Sequence, residues 1–195
     1  MITYSRQHKL RKTRTSGRFH ETRGKCRYHE GAEGRPKTVF EALFSFNRKN
    51  PKEDGMNILV IDGQGGRLGR KLVEGIRKIC PQASITAVGT NSMATENMLN
   101  SGCADFLATG ENAVIVACRT AQIIVGPFGI ATADAMLGEI SPAMANAVAS
   151  SPAYRVLIPM NLCNTYVAGV TKGSAALLED AMAHIQALAE REKNA

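Results

Sequence analysis

Residues 56–80 read MNILVIDGQGGRLGRKLVEGIRKIC, and the three parts of this stretch decide the fold. Ile58, Leu59, Val60 and Ile61 form an unbroken apolar run of strand length, as in a parallel strand covered on both faces. Gly63, Gln64, Gly65 and Gly66 follow at once. Leu68, Leu72, Val73, Ile76 and Ile79 then recur at helical spacing, with Arg70, Lys71, Glu74, Arg77 and Lys78 between them, which predicts an amphipathic helix. Strand, glycine turn and helix in that order read as the opening of a Rossmann-like domain.

Gly63, Gly66 and Gly69 give G-x-x-G-x-x-G, with Leu68 ahead of the last glycine. Gly63 also opens G-x-G, but Leu68 stands where the dinucleotide fingerprint has its third glycine. No Lys-Ser or Lys-Thr pair follows, which excludes a Walker A loop. Glycines permit positive φ and close approach of a ligand to the backbone. The N–H groups opening the helix, with its dipole, favour an anion, usually a phosphate. The plainer reading is a tight turn with nothing bound. Four glycines in seven residues are entropically unfavourable to order, which favours a phosphate-bearing ligand on Gly63, Gln64, Gly65, Gly66 and Gly69. The loop fits a nucleotide or dinucleotide without naming the cofactor.

The charge is uneven. Of 24 Lys+Arg and 17 Asp+Glu, residues 1–55 hold 14 and 6, leaving 10 and 11 for residues 56–195. The first quarter is strongly basic and the remainder nearly neutral, so nucleic-acid binding by the whole chain does not follow from its net charge. The five cysteines, Cys26, Cys80, Cys103, Cys118 and Cys163, show no C-x-x-C and no metal-ligand spacing with histidine. No metal site is expected, and reduced, buried thiols point to a cytoplasmic protein. No apolar run reaches the roughly 18 residues of a membrane span, and the N-terminus lacks a signal-peptide core.

Residues 1–55 are a basic segment in which only VFEALFSF (39–46) has apolar density, so disorder is expected. Residues 2–20 contain no acid, which suits a transit peptide or nucleic-acid arm, but no motif supports either. A translated leader fits better. Met56 opens the first strand, and the codons for Lys52-Glu53-Asp54 can contain a ribosome-binding sequence just upstream. The expected domain is residues 56–195.

Further along, SITAV (84–88) is a second strand ending at Gly89-Thr90-Asn91-Ser92. An NAD site places an acid near this point; here Thr90 and Asn91 are neutral, and can hold a phosphate or cap the helix from about Met93 to Asn100. ADFLA (104–108) is a third strand, followed by the polar loop Thr109–Asn112. NAVIVACR (112–119) has the composition of strand or helix, and its place between two strands argues for helix. AQIIVG (121–126) is a fourth strand leading into Gly126-Pro127-Phe128-Gly129, whose glycines and proline join the candidate ligand contacts. The next stretch, to Ser151, is split into two helices at Ser141-Pro142, a cap followed by proline. YRVLIPM (154–160) is a fifth strand, and a helix over 173–192 closes the chain with His184 on its polar side.

Five strands alternating with helices predict a single α/β domain, a Rossmann-like doubly wound parallel sheet. Ligands bind such sheets beyond the carboxyl ends of the strands, where the strand order reverses. With order 3-2-1-4-5, the first and fourth strands flank the crevice and the two glycine loops face each other. With a flavodoxin-like order the first and third strands flank it, and Thr109–Asn112 replaces the second loop.

MNILVIDGQGGR, ITAVGTNS, ATGENA, VGPFG, GEISPAMA and LIPMNLCN resemble the motifs of a small bacterial family of unknown function whose members open MNILVIDGQGGG. The resemblance spans residues 56 to about 172. Arg67 stands where that family often has another glycine, adding a cation at the mouth of the loop. Family members start at the equivalent of Met56, and the resemblance implies no activity. More distantly, the loop is similar to that of extended short-chain dehydrogenases, G-x-x-G-x-L-G. Those enzymes use a Tyr with a Lys four residues later; here Tyr154 is followed at that distance by Ile158 and Tyr166 by Val170. Asp62, Glu111, Asp134 and Glu139 are the acids near predicted strand ends. Glu111 has the position of a general base and Cys163 that of a nucleophile. A helix-start carboxylate and an unactivated thiol are the commoner roles. The expected function is binding of a nucleotide or other phosphorylated small molecule. The alternatives are an interaction or regulatory module with an empty site and, more weakly, an NAD(P)-dependent oxidoreductase. The Ala-, Met- and Gly-rich stretch 130–150 is either buried or pairs with a second copy, and a homodimer is expected.

Overall fold

The computed structural model describes residues 55–160, 165–171 and 173–193. The basic segment up to Asp54, the apolar patch at 39–46 and Cys163 lie outside them. The run at 58–61 lies at the centre of a five-stranded parallel sheet of order β3-β2-β1-β4-β5. Its strands are β1 (Asn57–Asp62), β2 (Ser84–Gly89), β3 (Phe106–Thr109), β4 (Ile123–Pro127) and β5 (Tyr154–Ile158). All four pairings are parallel, with Ile58 opposite Ile85 on one side and Ile123 on the other.

The helices are α1 (Arg67–Ile79), α2 (Ser92–Leu99), α3 (Glu111–Ala117), α4 (Pro142–Ser150) and α5 (Ser174–Lys193). Alternate residues of a strand face opposite sides, so β1 feeds two cores. Ile58 and Val60 pack with Leu72, Val73 and Ile76 of α1 and Ile185 of α5. Leu59 and Ile61 pack with Val114 of α3 and Met144 and Val148 of α4. Each of these β1 side chains is at most 1% exposed, and full burial of one is worth about 1.5–3 kcal/mol.

An arginine fastens the opposite end of the sheet. Arg77, in the last turn of α1, donates from Nε to the Cys103 carbonyl (3.0 Å) and from Nη1 to the carbonyls of Pro81 (3.0 Å) and Ala83 (2.8 Å). Its Nη2 meets Asp105 Oδ2 at 2.5 Å, and that oxygen also accepts the Ile85 amide at 2.8 Å.

The sequence-predicted helix at 112–119 forms as α3, and Ser141 caps α4 by accepting the Met144 amide (3.2 Å), with Pro142 at the first helical position. The helix expected before Ser141 does not form. A 3-10 turn, Phe128–Ala131, is followed by a single turn, Ala135–Gly138, in which Met136 (φ 57°) and Leu137 (φ 60°) are left-handed; Asp134 just before it has φ 59°. Ala135 and Ile140 are both buried, at 5% and 0% exposure. Turning both inward within six residues overrides the helical propensity of the Ala-Met-Leu run.

Candidate functional site

The strand order 3-2-1-4-5 puts the reversal between β1 and β4, so the two glycine loops meet at the carboxyl end of the sheet. Between them lies a crevice of about 500 Å³ lined by Asp62, residues 63–68, Pro127, Gly129, Met136 and Met160, a volume within the usual range for small-molecule sites. The alternative loop, Thr109–Asn112, borders a larger groove of about 760 Å³ that runs along the sheet face against α3 and is lined largely by Ile58, Leu59, Val88, Phe106, Ala108 and Val116.

The loop's backbone donors can be assigned one by one. Asp62, buried at the end of β1, accepts the Gly63 amide on Oδ1 (2.9 Å) and the Gly69 amide on Oδ2 (2.6 Å). The Gln64 amide donates to Glu139 Oε2 at 2.8 Å. The Gly66 amide closes a tight turn on the Gly63 carbonyl (2.9 Å), and Arg70 N–H starts the helix on the Gly66 carbonyl (3.0 Å). The amides of Gly65 and Arg67 make no hydrogen bond with any described residue. From across the loop, Asn97 Nδ2 of α2 donates to the Gly65 carbonyl (2.7 Å).

The glycines divide in the same way. A Cβ on Gly66 meets the Ala94 backbone at 2.6 Å, and Gly66 is left-handed at φ 62°. One on Gly69 meets Met98 Sδ at 2.6 Å and Asp62 Cβ at 2.7 Å; one on Gly126 meets the Ile61 carbonyl at 2.4 Å. One on Gly63 meets Met136 Sδ (2.8 Å), Glu139 Oε2 (2.9 Å) and Thr90 Oγ1 (2.9 Å). These four glycines admit neighbouring protein. Gly65 does not: a Cβ there meets nothing within 4 Å. At the second loop, a Cβ on Gly129 reaches Ala135 and Met136 at 3.4 Å, ordinary van der Waals contact.

Two carboxylates thus lie at the loop. Burial pushes the Asp62 carboxyl above its ordinary range, and the nearby Glu139 charge adds to this; the amides of Gly69, Gly63 and Leu68 pull against it without prevailing. Asp62 is a structural brace beneath the loop. Glu139 is half-buried. Desolvation pushes its carboxyl up, but hydrogen bonds from Thr90, the Gln64 amide and Asn91 outweigh that and hold it below the ordinary carboxylate range. All three donors converge on Oε2: the Gln64 amide, Thr90 Oγ1 and Asn91 Nδ2 (2.8 Å). Asn91 does a second task, capping α2 by accepting the Ala94 amide at 2.9 Å.

The remaining candidates are dispersed. Glu111 is exposed at the start of α3, and Asp134 is exposed at the left-handed turn. Cys80, Cys103 and Cys118 are buried, and burial pushes the Cys118 thiol up to about 11, which suits an unreactive core residue. His184 is exposed and its Nε2 lies 2.9 Å from Tyr154 Oη, at the opposite end of the strands from the crevice. Among the described residues no cluster of His, Cys, Asp and Glu suits a metal, and no helix is long and apolar enough to cross a membrane.

Sequence reasoning named Glu139 as an acid near a strand end but did not bring it to the loop. It stands 75 residues from Gln64 and 49 from Thr90, and no local pattern signals such a contact.

A family model for a domain of unknown function, DUF3842, matches residues 57–190. No curated protein and no solved structure matches the chain. The chain belongs to the DUF3842 family.

Proposed function

For this member of the family we propose the binding of a phosphorylated small molecule, nucleotides being the leading class, in the crevice between the two glycine loops. The observation that carries the reading is Gly65. It is the one glycine of the first loop whose missing side chain neither packing nor backbone conformation requires, and its amide is unused. A phosphate on the Gly65 and Arg67 amides gains the positive end of the α1 dipole. The exposed Arg67 side chain adds a charge-assisted donor. Thr90 and Asn91 extend the polar surface toward β2, and Pro127 and Gly129 form the opposite wall.

The test is Gly65→Val. The substitution meets open space at a φ outside the left-handed region, so the fold is retained. Nucleotides, dinucleotides and acyl-CoA species are screened against the full chain by thermal shift. At least one ligand raises the melting temperature of the parent, and the variant loses that rise. Hydrogen bonds to a charged group are worth about 1.5–3 kcal/mol each, so losing two weakens binding by about a hundredfold or more. An equal shift in folded Gly65→Val moves the site to Thr109–Asn112.

A second reading, an interaction module without a small-molecule ligand, is favoured by Leu137, which is 98% exposed. Elsewhere in the stretch Ile130, Ala135, Ile140, Met144, Ala145 and Val148 are buried. A homodimer is proposed through the Leu137 turn, and light scattering that shows a monomer at high micromolar concentration overturns it. Absence of any ligand shift in the parent favours the module.

A further inference from the structure

The segment joining β4 to α4 carries more than a connection. It crosses the carboxyl end of β1 and sets Met136 and Glu139 against Gly63. Glu139 then takes three donors with one oxygen: the amide of Gln64, next in the chain to Gly65, and the side chains of Thr90 and Asn91. A phosphate on the Gly65 amide therefore comes up against a carboxylate on the neighbouring amide. Like charges at that separation disfavour joint occupancy.

The segment is also strained. Asp134, Met136 and Leu137 adopt a left-handed conformation without being glycines, which other side chains avoid unless their surroundings impose it. Its two ends are secured, because Ala135 and Ile140 are buried and Ile140 exchanges hydrogen bonds with this turn, its carbonyl accepting the Asp134 amide (2.8 Å) and its amide donating to the Ala135 carbonyl (3.2 Å). Between them Leu137 stands in solvent, and the side chains that tie the tip to the sheet are Met136 and Glu139.

We propose that residues 132–140 are an autoinhibitory strap, with Glu139 a built-in anion on the donors that border the Gly65 and Arg67 amides, in competition with an incoming phosphate group. This rests on the reading that the glycine loop receives a phosphorylated ligand. Binding displaces the carboxylate from Gln64, Thr90 and Asn91, the tip lifts, and Met136 leaves the crevice wall. Apparent affinity is set by competition between the two anions.

The experiment compares the full-length parent with Glu139→Gln, Glu139→Ala and Gly65→Val, using inorganic pyrophosphate and ADP as probes in calorimetric titrations. Glu139→Gln keeps the shape and an acceptor but removes the charge, so it guards against a folding defect in Glu139→Ala. Both Glu139 variants are expected to bind at least tenfold tighter than the parent. In the parent, either probe is expected to speed hydrogen exchange at residues 136–139. Unchanged or weaker binding by folded Glu139→Gln overturns the strap; if Gly65→Val still abolishes binding to the parent, the glycine-loop site survives that result. No binding of either probe by the parent and Glu139→Gln overturns the strap and the phosphate site together. Tighter binding with exchange at 136–139 slowed by ligand overturns the lifting of the tip.

Discussion

The segments after β1 and after β4 meet at one end of the sheet, and both turn through left-handed backbone, by opposite means. The first places Gly66 at φ 62° and one ordinary residue, Gln64, at 50°. It fixes the result with Asp62 below and Asn97 above. The second uses Asp134, Met136 and Leu137 at φ 59°, 57° and 60°, and reaches glycine only at Gly138. Left-handed backbone costs an ordinary side chain about 1–2 kcal/mol. The first loop asks this of one ordinary residue, Gln64, and the second of three, so the first carries the smaller strain. The second, with more such residues, is held in place by tertiary contacts and is the part from which movement is expected.

The comparison is sharpened first by Gly66→Val. Left-handed φ and a Cβ 2.6 Å from the Ala94 backbone combine, and strain plus overpacking at such a site comes to about 3 kcal/mol or more. Urea denaturation should show this loss, while Gly65→Val in the same assay stays near the parent; a loss below about 1 kcal/mol at Gly66 breaks the claim that this loop depends on its glycine.

Asp62→Asn comes next. The amide side chain cannot accept from both the Gly63 and Gly69 amides, so a buried donor is left unmatched at a cost of about 1–3 kcal/mol. A variant as stable as the parent refutes the brace.

Leu137→Gly should act in the opposite direction. Leu137 is 98% exposed, so no burial within the domain is lost; relief of about 1–2 kcal/mol of strain outweighs the roughly 0.5–1 kcal/mol of added chain entropy. The expected gain is about 0.5 kcal/mol, and a clear loss in the same denaturation assay contradicts strain at this turn.

The smallest effect is on the acid side. Glu139 titrates below its ordinary value of 4.5 in the folded protein. The stability it supplies is complete above 4.5 and is lost as pH falls through the lower folded value. The stability difference between the parent and Glu139→Gln should therefore narrow over that interval. Asp62 is shifted upward, so its contribution runs the other way: it is present below its ordinary value of 3.8 and lost as pH rises through the folded one. A difference that stays constant across the acid range removes Glu139 as an ionised partner of Thr90 and Asn91.

This contrast also explains what could be read in the sequence. All five strands and the helices after β1, β2 and β3 were legible, because unbroken apolar runs and helical spacing are local signals. The first glycine loop was legible because glycine announces left-handed backbone. The strand order was narrowed to two choices, since pairing depends on contacts across the sheet that no single stretch records. The turn at 134–137 was misread as helix. Ala, Met and Leu favour helix, and the burial of Ala135 and Ile140 that overrides them exists only in the assembled domain. Glu139 was visible as an acid and invisible as a partner of Gln64 for the same reason. Asp62 was equally visible, but its service to the amides of Gly63 and Gly69 appears only once α1 has turned back over it.

The arginine at the far end of the sheet bears on the order in which the chain assembles. Arg77 reaches no further than Asp105, 28 residues away, and in doing so fastens the ends of α1, β2 and β3 together. Bringing β4 to β1 spans a longer stretch, for instance the 65 residues between Asn57 and Gln122. Short closures cost less entropy and form sooner. The part through Thr109 therefore has three strands and its own fastening before β4 and β5 are needed, and during synthesis it emerges first. In pulse-labelled refolding the Ile85 amide should gain protection ahead of the Tyr154 amide, and in Arg77→Ala that lead should shrink. A side chain far from the crevice would then govern how quickly the glycine loop acquires its opposite wall.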